Sequence, residues 1–93
     1  MKISVIMSVY NGEKHIEDAI ESILNQTFRN FEFIIVDDAS FDNSLKIIQK
    51  YATLDNRIKV IRNLKNIGLT KSLNKTIKIS NGDFIARQDV DDT

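Results

Sequence analysis

The chain has 93 residues, enough for one small domain near the lower limit of what a single hydrophobic core can hold. With 42% hydrophobic and 28% charged residues it has the composition of an ordinary soluble globular domain; its 13 basic and 13 acidic side chains cancel and the basic ones do not cluster, so nothing points to nucleic acid as a partner. The absence of cysteine excludes a disulfide scaffold and a thiolate metal site, and a single histidine, His15, excludes a multi-histidine zinc centre.

Ile3 to Val9 is a β-branched apolar run and reads as a buried strand. Tyr10-Asn11-Gly12 is a turn signal. From Glu13 the period changes: Ile16, Ile20, Ile23 and Leu24 fall on one helical face, which runs to about Gln26. Phe31 to Val36 is a second strand, stopped by Asp37-Asp38. Asp42-Asn43-Ser44 offers helix-capping side chains, and Leu45, Ile48 and Ala52 carry a second helix to near Leu54. Ile58-Lys59-Val60-Ile61 is a third strand, Asn66-Ile67-Gly68 a loop, and Leu69, Leu73 and Ile77 the stripe of a third helix. After the Asn81-Gly82 turn, Asp83 to Arg87 is a fourth strand.

The order β-α-β-α-β-α-β predicts an α/β fold, a mostly parallel sheet with flanking helices and right-handed crossovers. Ligands of such sheets bind at the carboxyl ends of the strands, near the switch in strand order. Ser8-Tyr10-Asn11, Asp37-Asp38-Ser40 and Asp89-Asp91-Asp92 all fall at predicted strand ends, and they should meet on one edge. No apolar run approaches the roughly 18 residues of a membrane span, and the N-terminal run is too short and interrupted for a signal peptide, so the default compartment is the cytoplasm. There is no internal repeat or low-complexity tract.

Asp89, Asp91 and Asp92 put three carboxylates within four residues. Such charges repel one another unless a cation sits among them, and a hard ion such as Mg²⁺ or Mn²⁺ prefers oxygen ligands shared with substrate phosphates. Taken alone, the run reads as a solvated acidic terminus; following a hydrophobic strand, it gains weight as a metal site. Asp37-Asp38 can accept hydrogen bonds from a base or a ribose, although a turn or helix cap is the plainer use of such a pair. Tyr10 can stack on a base and Asn11 can bond its edge, against the simpler reading of a turn. Gly68 is a loop glycine suited to a positive φ or a close approach, and His15 has no role assigned. Neither G-x-x-x-x-G-K-[ST] nor G-x-G-x-x-G follows the first strand, so phosphate is not cradled by glycines, and a metal bridge is the remaining common solution.

Ser4-Val5-Ile6-Met7-Ser8-Val9-Tyr10-Asn11-Gly12, Ser22-Ile23-Leu24-Asn25-Gln26-Thr27-Phe28 and Phe31-Glu32-Phe33-Ile34-Ile35-Val36-Asp37-Asp38-Ala39-Ser40 resemble the opening of family-2 glycosyltransferases. Asn66-Ile67-Gly68-Leu69 and Gly82-Asp83-Phe84-Ile85-Ala86-Arg87-Gln88-Asp89-Val90-Asp91-Asp92 resemble the family's later motifs, in the same order. Each motif is weak alone; the five in order cover essentially the whole chain. The resemblance implies a Rossmann-like GT-A fold, a nucleoside-diphosphate sugar donor with UDP the common nucleotide, a divalent metal (Mg²⁺ or Mn²⁺), and inversion at the anomeric carbon. It implies that Ser8, Tyr10, Asn11 and Asp38 meet the nucleotide, that Asp89 approaches the ribose and diphosphate, and that Asp91 with Asp92 holds the metal. Ser8 departs from the proline found in many relatives. The family's general base and its site for a carbohydrate or lipid-linked acceptor follow the acidic motif, so they are expected beyond Thr93. Residues 1–93 are then expected to be the N-terminal, nucleotide-sugar-binding part of a truncated glycosyltransferase domain, inactive alone, from a protein of polysaccharide biosynthesis that associates with a membrane through segments further on. Two other readings stay open: a nucleotidyltransferase, which usually carries a glycine- and basic-rich loop after its first strand, and a non-catalytic Mg²⁺-binding module of response-regulator type, which needs an acceptor aspartate after its third strand.

Overall fold

The computed structural model of the chain describes residues 3–25, 30–65, 71 and 84–89, the last segment as backbone. Its elements are β1 (Ile3–Val9), α1 (Ile16–Leu24), β2 (Phe31–Asp37), α2 (Ser44–Leu54), β3 (Ile58–Arg62) and β4 (Phe84–Asp89). The third helix expected around Leu69, Leu73 and Ile77 lies outside the described residues, apart from Lys71, which is helical. The four strands form one sheet in the order β3-β2-β1-β4, and every pairing is parallel. From β1 the chain steps outward to β2 and β3, then returns to the other side of β1 to lay down β4. The switch in strand order therefore lies between β1 and β4.

Alternation along the strands decides what each face buries. Val5, Met7 and Val9 of β1, Phe31, Phe33 and Ile35 of β2 and Ile58 of β3 form one cluster with Ile16, Ile20 and Ile23 of α1 and Ile48 of α2. Ile6, Ile34 and Val36, on the other face, are just as buried. Every residue of β2 is buried, which is why Phe33 to Val36 read as a continuous apolar run. A helix of nine residues like α1 is marginal in water alone. Full burial of an isoleucine contributes about 1.5–3 kcal/mol, so the stripe of Ile16, Ile20 and Ile23 holds α1 through the sheet rather than through intrinsic propensity. Glu32 is buried on the second face and satisfied there by the Ser4 hydroxyl of its register partner and by Lys59 Nζ at 2.9 Å.

The strand boundaries run further toward the carboxyl edge than the sequence suggests. β2 continues through Asp37, β3 through Arg62 and β4 through Asp89. The ladder explains this: Asp38 N–H donates to Val9 O at 2.8 Å and Asn63 N–H to Asp37 O at 2.9 Å, so backbone pairing overrides the polar side chains. α1, in contrast, begins at Ile16 rather than Glu13. The Gly12 carbonyl already accepts from both His15 N and Ile16 N, and the Glu13 amide is turned away to Asp42 Oδ2. Among the described residues, no helix is long and apolar enough to cross a membrane.

Candidate functional site

The register brings the polar strand ends level. Ser8 of β1 pairs with Val36 on one side and with Asp89 on the other, and Val9 pairs with Asp37. Asp38, one residue past β2, and Asp89, the last residue of β4, thus flank the end of β1 from its two sides, at least two strand spacings or roughly 10 Å apart. Residues 8, 38 and 89, distant in sequence, share the edge beside the topological switch, where α/β sheets bind ligands. Asp91 and Asp92 lie outside the described residues.

Two loops build the floor of this edge. The β1–α1 loop and the β2–α2 loop are joined by Asn11 N–H to Ser40 Oγ (2.9 Å), Phe41 N–H to Asn11 Oδ1 (2.7 Å), Gly12 N–H to Ser44 Oγ (2.9 Å), Glu13 N–H to Asp42 Oδ2 (3.1 Å) and Asn43 Nδ2 to Glu13 Oε2 (3.2 Å). Asn11 reaches this position at φ 52° and Ala39 at φ 61°. Asparagine tolerates the left-handed region, whereas for alanine it costs roughly 1–2 kcal/mol, which the surrounding bonds must offset. Asp42 also accepts from Ser44 N–H at 2.9 Å. Burial opposes ionisation of Asp42, but the bonds from Ser44 and Glu13 outweigh it and hold the carboxyl below its ordinary 3.8. The expected caps of α2 therefore work differently: Asn43 occupies the cap position without a side-chain cap bond, Asp42 satisfies the first amide, and the Ser44 hydroxyl serves the other loop.

Asp37 and Asp38 are both buried, and their carboxyls have different surroundings. Asp37 Oδ2 accepts from Ser40 N–H at 3.3 Å and closes the turn through Ala39, while its Oδ1 is buried without a hydrogen-bond partner among the described residues. Asp38 Oδ1 accepts from Asn63 Nδ2 at 2.9 Å. Asn63 is a residue the sequence reading passed over. It follows a strand whose end carries no motif, and its importance comes from a partner 25 residues away. Since β3 runs into Arg62 and Asn63, it lacks the acceptor aspartate that a response-regulator module requires.

Above these groups stand two exposed aromatics. Tyr10 is 45% and Phe41 87% exposed, and their rings meet edge-to-face with centroids 6.3 Å apart. A polar cavity of about 260 Å³ opens beside them, lined by Asn11, Glu13, Lys14, His15 and Asp42. Of the expected nucleotide contacts, Tyr10 is accessible and Ser8 and Asp38 are buried; Asn11 is exposed but commits its side-chain oxygen to Phe41 N–H. Asp89 is the last residue of β4, so the acidic run begins where the sheet ends. Its donors are carboxylate oxygens alone, a set that fits a hard divalent cation. Among the described residues there is no group of three or more His, Cys, Asp or Glu placed to hold a metal.

Comparison with known proteins matches residues 4–93 to the family described as Glycosyl transferase family 2. EpsE of Bacillus subtilis (strain 168), assigned as a glycosyltransferase, is 49% identical over 92 residues, covering 98% of this chain and 33% of that protein. The crystal structure of S. aureus TarS 1-349 in complex with UDP-GlcNAc superposes with a TM-score of 0.89 at 38% identity, over 98% of this chain and 27% of that one. The mannosyltransferase PcManGT from Pyrobaculum calidifontis, in complex with GDP-Man and Mn²⁺, shares the fold with a TM-score of 0.89 at 22% identity, over 96% of this chain and 27% of that one. The chain spans about a third of the length of curated relatives that it matches.

Proposed function

The chain belongs to glycosyl transferase family 2, and from that premise we propose that it is the donor-binding part of an inverting, metal-dependent glycosyltransferase that takes a nucleoside-diphosphate sugar, UDP-linked, and glycosylates the hydroxyl of a carbohydrate or lipid-linked acceptor. The observation that carries this reading is the sheet register: Asp38 and Asp89 flank the end of β1 at the topological switch. The partly exposed ring of Tyr10, the residue after the Val9 carbonyl that Asp38 N–H bonds, supports a base-binding role for that side of the edge.

In this reading Tyr10 stacks on the base, Asp38 accepts a base N–H, Ser8 and Asn11 line the same pocket, and Asp89 contacts the ribose and diphosphate. Asp91 and Asp92 would hold Mg²⁺ or Mn²⁺, and the ion, when bound, would supply charge neutralisation for the diphosphate leaving group. The two stitched loops keep the base-binding groups in place before the donor arrives, so little ordering is required on binding. The general base that deprotonates the acceptor is proposed to lie C-terminal to Thr93.

The test is calorimetric titration of the full-length protein with UDP, with and without Mn²⁺. The expected result is heat that depends on Mn²⁺ and is lost in Asp91→Ala. No Mn²⁺-dependent heat from a folded sample, under conditions where S. aureus TarS binds UDP, refutes the site assignment.

A further inference from the structure

Asn63 sits just past the end of β3 and is 3% exposed. Its backbone N–H donates to Asp37 O at 2.9 Å, which adds a rung to the β2–β3 ladder. Its side chain does something the ladder does not need: Nδ2 donates to Asp38 Oδ1, also at 2.9 Å. Asp38 is only 2% exposed, and its own N–H is held by Val9 O at 2.8 Å. The terminal torsion of an aspartate is broad and roughly two-fold, so a fixed backbone does not by itself set the direction of the carboxylate. A donor anchored to the neighbouring strand helps fix where its oxygens lie.

We propose that Asn63 is a positioning residue for nucleotide recognition, its side-chain amide orienting the Asp38 carboxylate to accept an N–H from the base. This rests on the reading of Asp38 as a base contact given above. A purely architectural role is already filled by the Asn63 backbone amide. Three adjacent strands then contribute to one recognition element: β1 holds the Asp38 backbone, β2 carries Asp38 beyond its end, and β3 delivers the amide that orients it.

The experiment separates the base end of the ligand from the phosphate end. Asn63→Ala and Asn63→Asp are prepared in the full-length protein, and UDP and inorganic pyrophosphate, each with Mn²⁺, are titrated by calorimetry; melting temperatures are recorded alongside. The expected result is UDP affinity about tenfold weaker in Asn63→Ala, weaker again in Asn63→Asp where two carboxylates face each other, and pyrophosphate affinity unchanged in both. Asn63→Ser keeps a short donor and recovers part of the UDP affinity; it is read in place of Asn63→Ala if that variant does not fold. Equal weakening of UDP and pyrophosphate means the residue is merely structural and overturns the inference, as does wild-type UDP affinity in the variants. Failure of the wild-type protein to bind UDP with Mn²⁺ is a separate result, which removes the functional reading itself.

Discussion

Asp42 joins the two loops below the candidate site, and its removal has a calculable effect. Asp42→Ala takes the acceptor from two backbone amides, Glu13 N–H at 3.1 Å and Ser44 N–H at 2.9 Å. A bond to a charged group is worth about 1.5–3 kcal/mol when water is excluded. Asp42 is partly exposed, so the smaller loss typical of a helix cap, about 1 kcal/mol per amide, is the better scale, or about 2 kcal/mol together. For 93 residues the unfolding entropy is about 0.2 kcal/mol/K, so the melting temperature falls by about 10 °C. The pH dependence follows from the depressed carboxyl. A group with a lowered folded-state pKa stabilises above its unfolded value, and that stabilisation is lost as pH falls through the folded value. The gap between wild type and Asp42→Ala is therefore full near neutral pH and narrows as the pH drops below 3.8. Calorimetric melting of both proteins from about pH 7 to about pH 2.5 measures it. A gap that stays constant over that range, or one under about 0.3 kcal/mol near neutral pH, refutes the account of Asp42 as an ionised brace.

Two further outcomes follow from contacts at either end of the sheet. Tyr10→Ala weakens UDP binding by about tenfold or more, the scale of base–aromatic stacking, while Tyr10→Phe retains most of it and the melting temperature of both stays near wild type; unchanged titration curves for Tyr10→Ala count against stacking. At the opposite end, Arg57 pairs with Asp55 through contacts of 2.7, 3.0 and 3.2 Å and lies 4.5 Å over the Phe31 ring. Arg57→Ala is expected to lose about 1–2 kcal/mol in urea unfolding, and Arg57→Lys recovers less than half because the planar fork is gone; full recovery with lysine contradicts this.

Much of the fold was legible in local pattern. The β-branched apolar run Phe33-Ile34-Ile35-Val36, bounded by turn signals, fits a strand buried on both faces, and the Ile16, Ile20, Ile23 spacing fits one face of a helix. With four strands and intervening helices, a parallel sheet follows from connection rules, and the polar clusters then fall at one edge without any coordinates. Asp38, Tyr10 and Asp89 were placed at that edge this way.

Local pattern does not carry register or partnership. That Ser8 pairs with Asp89 depends on how far β4 slides along β1, a property of the whole ladder. The same is true of the strand ends, where backbone pairing carried β2 through Asp37 and β4 through Asp89 although acidic side chains suggest a stop. Asn63 looks like a loop residue until β3 lies beside β2, and Ala39 shows no sign of its positive φ until Ser40 and Asp37 are bonded across the turn. The amino-acid sequence by itself determined where the strands and the first two helices lie, though not their ends, and which edge is polar, because burial of a face imposes a period along the chain. Only the tertiary structure decided which polar groups meet, because a hydrogen bond between residues 25 to 32 positions apart leaves no periodic trace in either segment.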